Sequence, residues 1–261
     1  MNDGRTRRVL SIAGFDPSGG AGTQADLGTF AVFHVDGCAV LTALTAQNDR
    51  VVSGVLPVSS EFVALQLASI FDDDGVDAVK VGMVANAANV HVVADALRAV
   101  PRRPLVVDPV LRATAGTVLL DDAGLAALQS ELLPLATVIT PNAIEAGALL
   151  GASAPMTLDD VHEAARALRG LGSDWVLVTG GHTPGDEGDC VDVLAGPDRV
   201  TELRTARVHG HGIHGSGCRL SSAIAALLAL GVSVPDACAR AQRHIAGVIA
   251  NRSALDLLEV S

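Results

Sequence analysis

Val9-Leu10-Ser11-Ile12-Ala13-Gly14-Phe15-Asp16-Pro17-Ser18-Gly19-Gly20-Ala21-Gly22 decides the architecture. Val9 to Gly14 is a short, nearly unbroken apolar run that ends on glycine, which reads as a buried strand. The glycines that follow read as a loop, and Thr23 to His34 reads as a helix. Strand, glycine loop and helix form the repeating unit of an α/β protein. The loop has no lysine of the phosphate-binding type, and its glycines are not spaced Gly-x-Gly-x-x-Gly, so it is not a nucleotide fingerprint. It still ends a strand, where open α/β sheets hold ligands.

Outward from this unit the pattern recurs. Strands are expected at Cys38–Thr45, Ala78–Gly82, Pro104–Val107, Thr137–Thr140 and Trp175–Val178, with a further extended segment at Val51–Val58. Helices are expected at Ser60–Phe71 and Ala87–Val100, and from an Asp121 cap through Leu133. Another starts near Glu145, and Thr157 with Asp160 forms a capping box for one ending near Gly170. Cys190–Leu194 and Arg199–Val208 read as antiparallel edge strands. Helices over Leu220–Leu230 and Val234–Asn251 follow. Apolar strands alternating with helices predict a mostly parallel sheet covered on both faces, with antiparallel edges, in one domain spanning 1–261.

Composition narrows the function. The chain has 261 residues, 49% hydrophobic and 2% aromatic, with a net charge of −11. A nucleic-acid surface needs the basic or aromatic groups this chain lacks. No apolar run reaches the roughly 18 residues of a membrane span. The N-terminus leads directly into a strand, and a cytoplasmic protein is expected. The four cysteines lie far apart, and Cys38, Cys190 and Cys238 read as reduced core residues. Lys80 is the only lysine.

Gly212-Ile213-His214-Gly215-Ser216-Gly217-Cys218 opens the helix at Leu220. A glycine loop before a helix leaves backbone N–H groups unpaired at the positive end of the dipole, an anion site. A cysteine in that first turn is expected to have a lowered pKa.

Ala13–Leu27, Thr45-Ala46-Gln47-Asn48, Val79-Lys80-Val81-Gly82-Met83, Val107-Asp108-Pro109-Val110, Thr140-Pro141-Asn142 with Glu145, Gly180-Gly181-His182 and His214–Cys218 resemble the hydroxymethylpyrimidine/phosphomethylpyrimidine kinases of thiamine biosynthesis. These are members of the ribokinase-like superfamily. The resemblance implies a three-layer α/β/α sandwich and a homodimer. It implies ATP- and Mg²⁺-dependent phosphoryl transfer to 4-amino-5-hydroxymethyl-2-methylpyrimidine and then to its monophosphate. By resemblance, Gly14, Asp26, Gln47, Met83 and Val110 surround the pyrimidine. Asp108, Asn142, Thr179, Gly181 and Arg219 serve ATP, and Asp108 and Glu145 hold Mg²⁺, directly or through water. Gly215, Ser216 and Gly217 form the anion hole, and Cys218 takes the substrate proton. The chain departs from the family at Thr179, where lysine is usual, at Thr114 in the flap, at Phe15, where a small residue is usual, and at Arg219. Arg219 is expected to replace the missing lysine's charge. Two alternatives stand beside this reading: a pyridoxal-type kinase, and a non-catalytic pyrimidine-binding regulator.

Overall fold

The computed structural model describes residues 5–259 apart from positions 49, 74, 114–115, 181–187 and 208–213, and beyond residue 251 the backbone alone. Its strands are β1 (Arg8–Phe15), β2 (Asp36–Gln47), β3 (Val52–Pro57), β4 (Val76–Val81), β5 (Leu105–Val107), β6 (Val138–Ile139), β7 (Trp175–Val178), β8 (Asp189–Ala195) and β9 (Val200–Ala206). Its α-helices are α1 (Gly22–Val32), α2 (Ser60–Phe71), α3 (Ala87–Ala99), α4 (Asp122–Ala127), α5 (Ala143–Leu150), α6 (Leu158–Arg169), α7 (Ser216–Ala229) and α8 (Val234–Glu259).

The strands form one sheet in the order β3-β2-β1-β4-β5-β6-β7-β8-β9. Strands β2 through β7 pair in parallel. Antiparallel β3 closes one edge, and β8 with β9 closes the other. Strand order reverses between β1 and β4, because β2 and β3 run to one side of β1 and everything later runs to the other. That reversal opens a crevice at the strands' carboxyl ends.

Period-two alternation builds the layers. Val79, Val81, Val107, Ile139 and Val178 face one core, roofed by α2 through α6. Ala78, Val106, Val138 and Leu177 face the other, under α1, α7 and α8. Helix α7 is buried continuously from Leu220 to Ala229. Its alanines at 223, 225, 226 and 229 bring its backbone close to the sheet, so its first turn has little freedom to shift.

One expectation fails locally. The helix capped by Asp121 does not run evenly to Leu133: after α4 it widens into a π-helical turn at Leu128–Leu132 and tightens into a 3₁₀ turn at Leu133–Leu135. Pro134 has no N–H to bond the Ser130 carbonyl, and its ring crowds that turn. The last helix runs beyond the expected Asn251.

Candidate active site

The carboxyl ends of β1, β4, β5, β6 and β7 deliver the residues that the sequence singles out. After β1, the loop 16–21 folds around Asp16. Its carboxylate accepts from the Ser18 N–H (2.9 Å), the Ser18 hydroxyl (2.8 Å) and the Ala21 N–H (2.9 Å). It also meets His214 Nε2 at 3.1 Å. Burial alone would raise the Asp16 carboxyl; the hydrogen bonds from Ser18, Ala21 and Gln47 overcome this and hold it below its usual range.

The second glycine loop packs directly on the first. Gly215 has φ +77°, and a Cβ there would lie 2.1 Å from the Gly20 carbonyl oxygen. No side chain caps α7. Among the described residues, the N–H groups of Ser216, Gly217 and Cys218 therefore have no acceptor, and Gly217 is exposed. These amides at a positive helix end make an anion site.

Cys218 corrects an expectation. Burial pushes its thiol up to about 12, and Asp108 and Asp26 add to the rise, while Lys80 and the Gly22 amide oppose it. The helix end favours a thiolate, but desolvation beside two acids is the stronger effect here.

Asp108 follows β5 and is buried. Ser221 of α7 donates to it at 3.2 Å. Burial pushes its carboxyl up, Lys80 pulls it down, and Asp26 raises it again. Asn142 and Glu145 follow β6 as a reciprocal cap: Asn142 Oδ1 accepts the Glu145 N–H at 3.0 Å, and Glu145 Oε2 accepts the Asn142 N–H at 2.9 Å. Burial, and then the charge of Asp108, push the Glu145 carboxyl up to about 8. Burial raises both acids, and the charge of Asp108 raises Glu145 further, so together they offer hard oxygen donors that fit a divalent cation. Among the described residues no three His, Cys, Asp or Glu side chains gather around one point. That suits Mg²⁺, which takes one or two carboxylates and completes its shell with water and phosphate oxygens. Thr179 lies beside Asn142 across a parallel bridge, its N–H bonded to the Pro141 carbonyl at 2.9 Å.

On the other side of the crevice, Gly14 and Met83 meet: a Cβ at Gly14 would sit 3.0 Å from Met83 Sδ. Gln47 and Val110 stay partly exposed. Phe15 is also partly exposed, with its carbonyl accepting from Thr45 Oγ1 at 2.9 Å.

One residue lies elsewhere than the sequence suggested. Asp26 is fully buried beneath the crevice, its carboxylate held by Lys80, Ser11 and Ser222, and it presents no free oxygen to a pyrimidine. Nη2 of Arg219 donates to the Gly20 carbonyl at 3.5 Å, the carbonyl that packs on Gly215, and its charge is felt at His244 of α8. One residue past Cys218 is about 100° further round the helix, which takes Arg219 off the face that carries the thiol. Gly181, His182 and Thr114 lie outside the described residues. Sequence reading missed the Lys80–Asp26 pair. Its signal was the only lysine of the chain, standing in a strand that is otherwise apolar but for Asp77.

A model of the phosphomethylpyrimidine kinase family matches residues 16–259. A hydroxymethylpyrimidine/phosphomethylpyrimidine kinase of Rhizobium meliloti is 44% identical over 255 residues, covering 98% of this chain and 94% of that protein. The thiamine biosynthesis bifunctional protein ThiED of Geobacter sulfurreducens is 44% identical over 241 residues; this covers 92% of the chain and 49% of that longer protein. The structure of the pyridoxal kinase from Staphylococcus aureus in complex with AMP-PCP and pyridoxal superposes with a TM-score of 0.86 at 31% identity, covering 95% of this chain and 89% of that one.

Proposed function

The chain belongs to the phosphomethylpyrimidine kinase family and is a kinase, and from that premise we propose its acceptor and the roles of its residues. It transfers the γ-phosphoryl group of ATP to the hydroxymethyl group of 4-amino-5-hydroxymethyl-2-methylpyrimidine, and then a second one to the resulting monophosphate, in thiamine biosynthesis. The observation that carries this reading is the start of α7, where no side chain caps the Ser216, Gly217 and Cys218 amides and where, one turn on, Ser221 donates to the buried Asp108. Phosphoryl transfer is catalysed mainly by alignment and charge stabilisation, and such amides supply both without reorganising.

In this reading the amides of Ser216, Gly217 and Cys218 receive the transferring phosphoryl, and Cys218, which burial and the neighbouring acids keep protonated here, takes the proton of the attacking hydroxyl only as a thiolate, the form that the positive end of α7 favours. Gly14, Met83, Gln47 and Val110 hold the pyrimidine. The Gln47 amide both donates and accepts, as an aminopyrimidine edge requires. Asn142 and Thr179 lie along the ATP phosphates. Asp108 and Glu145 hold Mg²⁺, which when bound neutralises charge on those phosphates. The enzyme works in the cytoplasm as a homodimer. Supporting the dimer, Leu44 and Leu56 stand opposite each other on the edge hairpin, 41% and 65% exposed; light scattering at twice the chain mass checks it.

The likeness to a pyridoxal kinase favours one second reading, in which pyridoxal is the acceptor. Release of ADP is measured with the pyrimidine, its monophosphate and pyridoxal as separate acceptors, with Cys218→Ala as control. Turnover with both pyrimidines, lost in the variant, is expected. Turnover with pyridoxal alone selects the second reading.

A further inference from the structure

Directly beneath the anion site lies a buried ion pair that the roles above leave unused. Lys80 is 0% exposed and is the only buried cation among the described residues. Its Nζ lies 2.9 Å from each carboxylate oxygen of Asp26, also 0% exposed. Ser11 donates to Asp26 Oδ2 at 2.6 Å, and Ser222 donates to Oδ1 at 2.7 Å. One carboxylate thus gathers groups from β1, α1, β4 and α7, at the point where strand order reverses. The space is made for the amine: a Cβ at Gly82 would lie 2.8 Å from Nζ.

The tie to α7 is specific. Ser222 is four residues after Cys218, so the two share one helix face. Its neighbour Ser221, four residues after Gly217, donates to Asp108. Two consecutive serines therefore fix α7 against the two aspartates, one turn below the amides and the thiol. The positive charge of Lys80 also acts at Cys218 and Asp108, where it opposes the effect of burial.

Stability alone does not explain such a pair. Two desolvated charges gain little over apolar residues of the same volume, although removing one partner is costly. We infer that Lys80 and Asp26 are positioning residues for phosphoryl transfer: through Ser222 they set the placement of α7, and Lys80 puts a fixed positive charge behind the anion site. This rests on the phosphoryl-transfer reading of that site.

The test is the double variant Lys80→Met/Asp26→Asn, which removes both charges and keeps volume, with the new amide accepting from one of Ser11 and Ser222 through its oxygen and donating to the other through its nitrogen. Kinetics are taken with whichever of the three acceptors the unaltered chain phosphorylates, so a wrong acceptor overturns the reading above and leaves this one testable. A displacement of about 1 Å can cost about 10²-fold in rate. A folded double variant is expected to lose about 10²-fold in kcat, with KM for ATP and acceptor within about threefold, the pattern of an interaction realised in the transition state. A folded variant with full kcat, or one that loses only KM, overturns the inference. If the double variant does not fold, Ser222→Ala decides, since it cuts the tether and keeps both charges. About tenfold lower kcat at unchanged KM is expected there, and unchanged kcat overturns the inference.

Discussion

Helices α5 and α7 both start at the carboxyl edge of the sheet, and they start in opposite ways. The first turn of α5 closes on itself, with Asn142 and Glu145 each satisfying the other's backbone amide. The first turn of α7 begins at a left-handed glycine, and no side chain caps its amides. The difference separates support from chemistry. A capped start spends its dipole on its own side chains, whereas an uncapped one keeps its dipole for a ligand.

The most damaging way to break this contrast is at Gly215. Gly215→Ala puts a Cβ into the Gly20 carbonyl and imposes φ +77° on alanine, so the open amides must move. Loss of one such donor costs about 10²- to 10³-fold; a kcat drop of that size is expected from steady-state assays, and a drop below tenfold would show that the open start is not the phosphoryl site. The next test is at Glu145, through pH. Its folded pKa, about 8, lies above the ordinary carboxylate value of 4.5. The folded state therefore holds the proton more tightly, and this group's contribution to stability is lost as pH rises from about 4.5 to about 8. Glu145→Gln, which keeps an acceptor for the Asn142 amide, should remove that decline; urea melts of both proteins at pH 5 and pH 9 measure it, and parallel curves would contradict it. The smallest effect is at the cap itself. Asn142→Ala should cost about 1 kcal/mol of stability, read as a lower urea midpoint with unchanged slope.

Sequence reading worked where the signal was local. Helix α2 has the bounds that its spacing gave, and the Thr157–Asp160 box closes as a box. Strand ends were legible because each apolar run stops at a polar or glycine junction. Three features were not legible, for one physical reason: each depends on neighbours distant in the chain. The Cys218 thiol looked activated because the sequence shows its helix end but not the acids packed around it. Arg219 looked like a substitute for the missing lysine, but its contact with Gly20 spans 199 positions and has no local signal. Asp26 looked like a wall of the pocket; its partner Lys80 is 54 positions away, and nothing local pairs them.

The seam between the two glycine loops has a consequence for biogenesis. His214 reaches Asp16 across 198 residues, Ser222 reaches Asp26 across 196, and Arg219 reaches Gly20 across 199. A chain emerging amino-end first has made β1, its loop and the central strands long before α7 exists. The early loop must wait for its late partner, and such distant contacts are slow to form. Competence to take up phosphate therefore arises last, and a nascent or truncated chain has most of the sheet but no place to hold the reacting group.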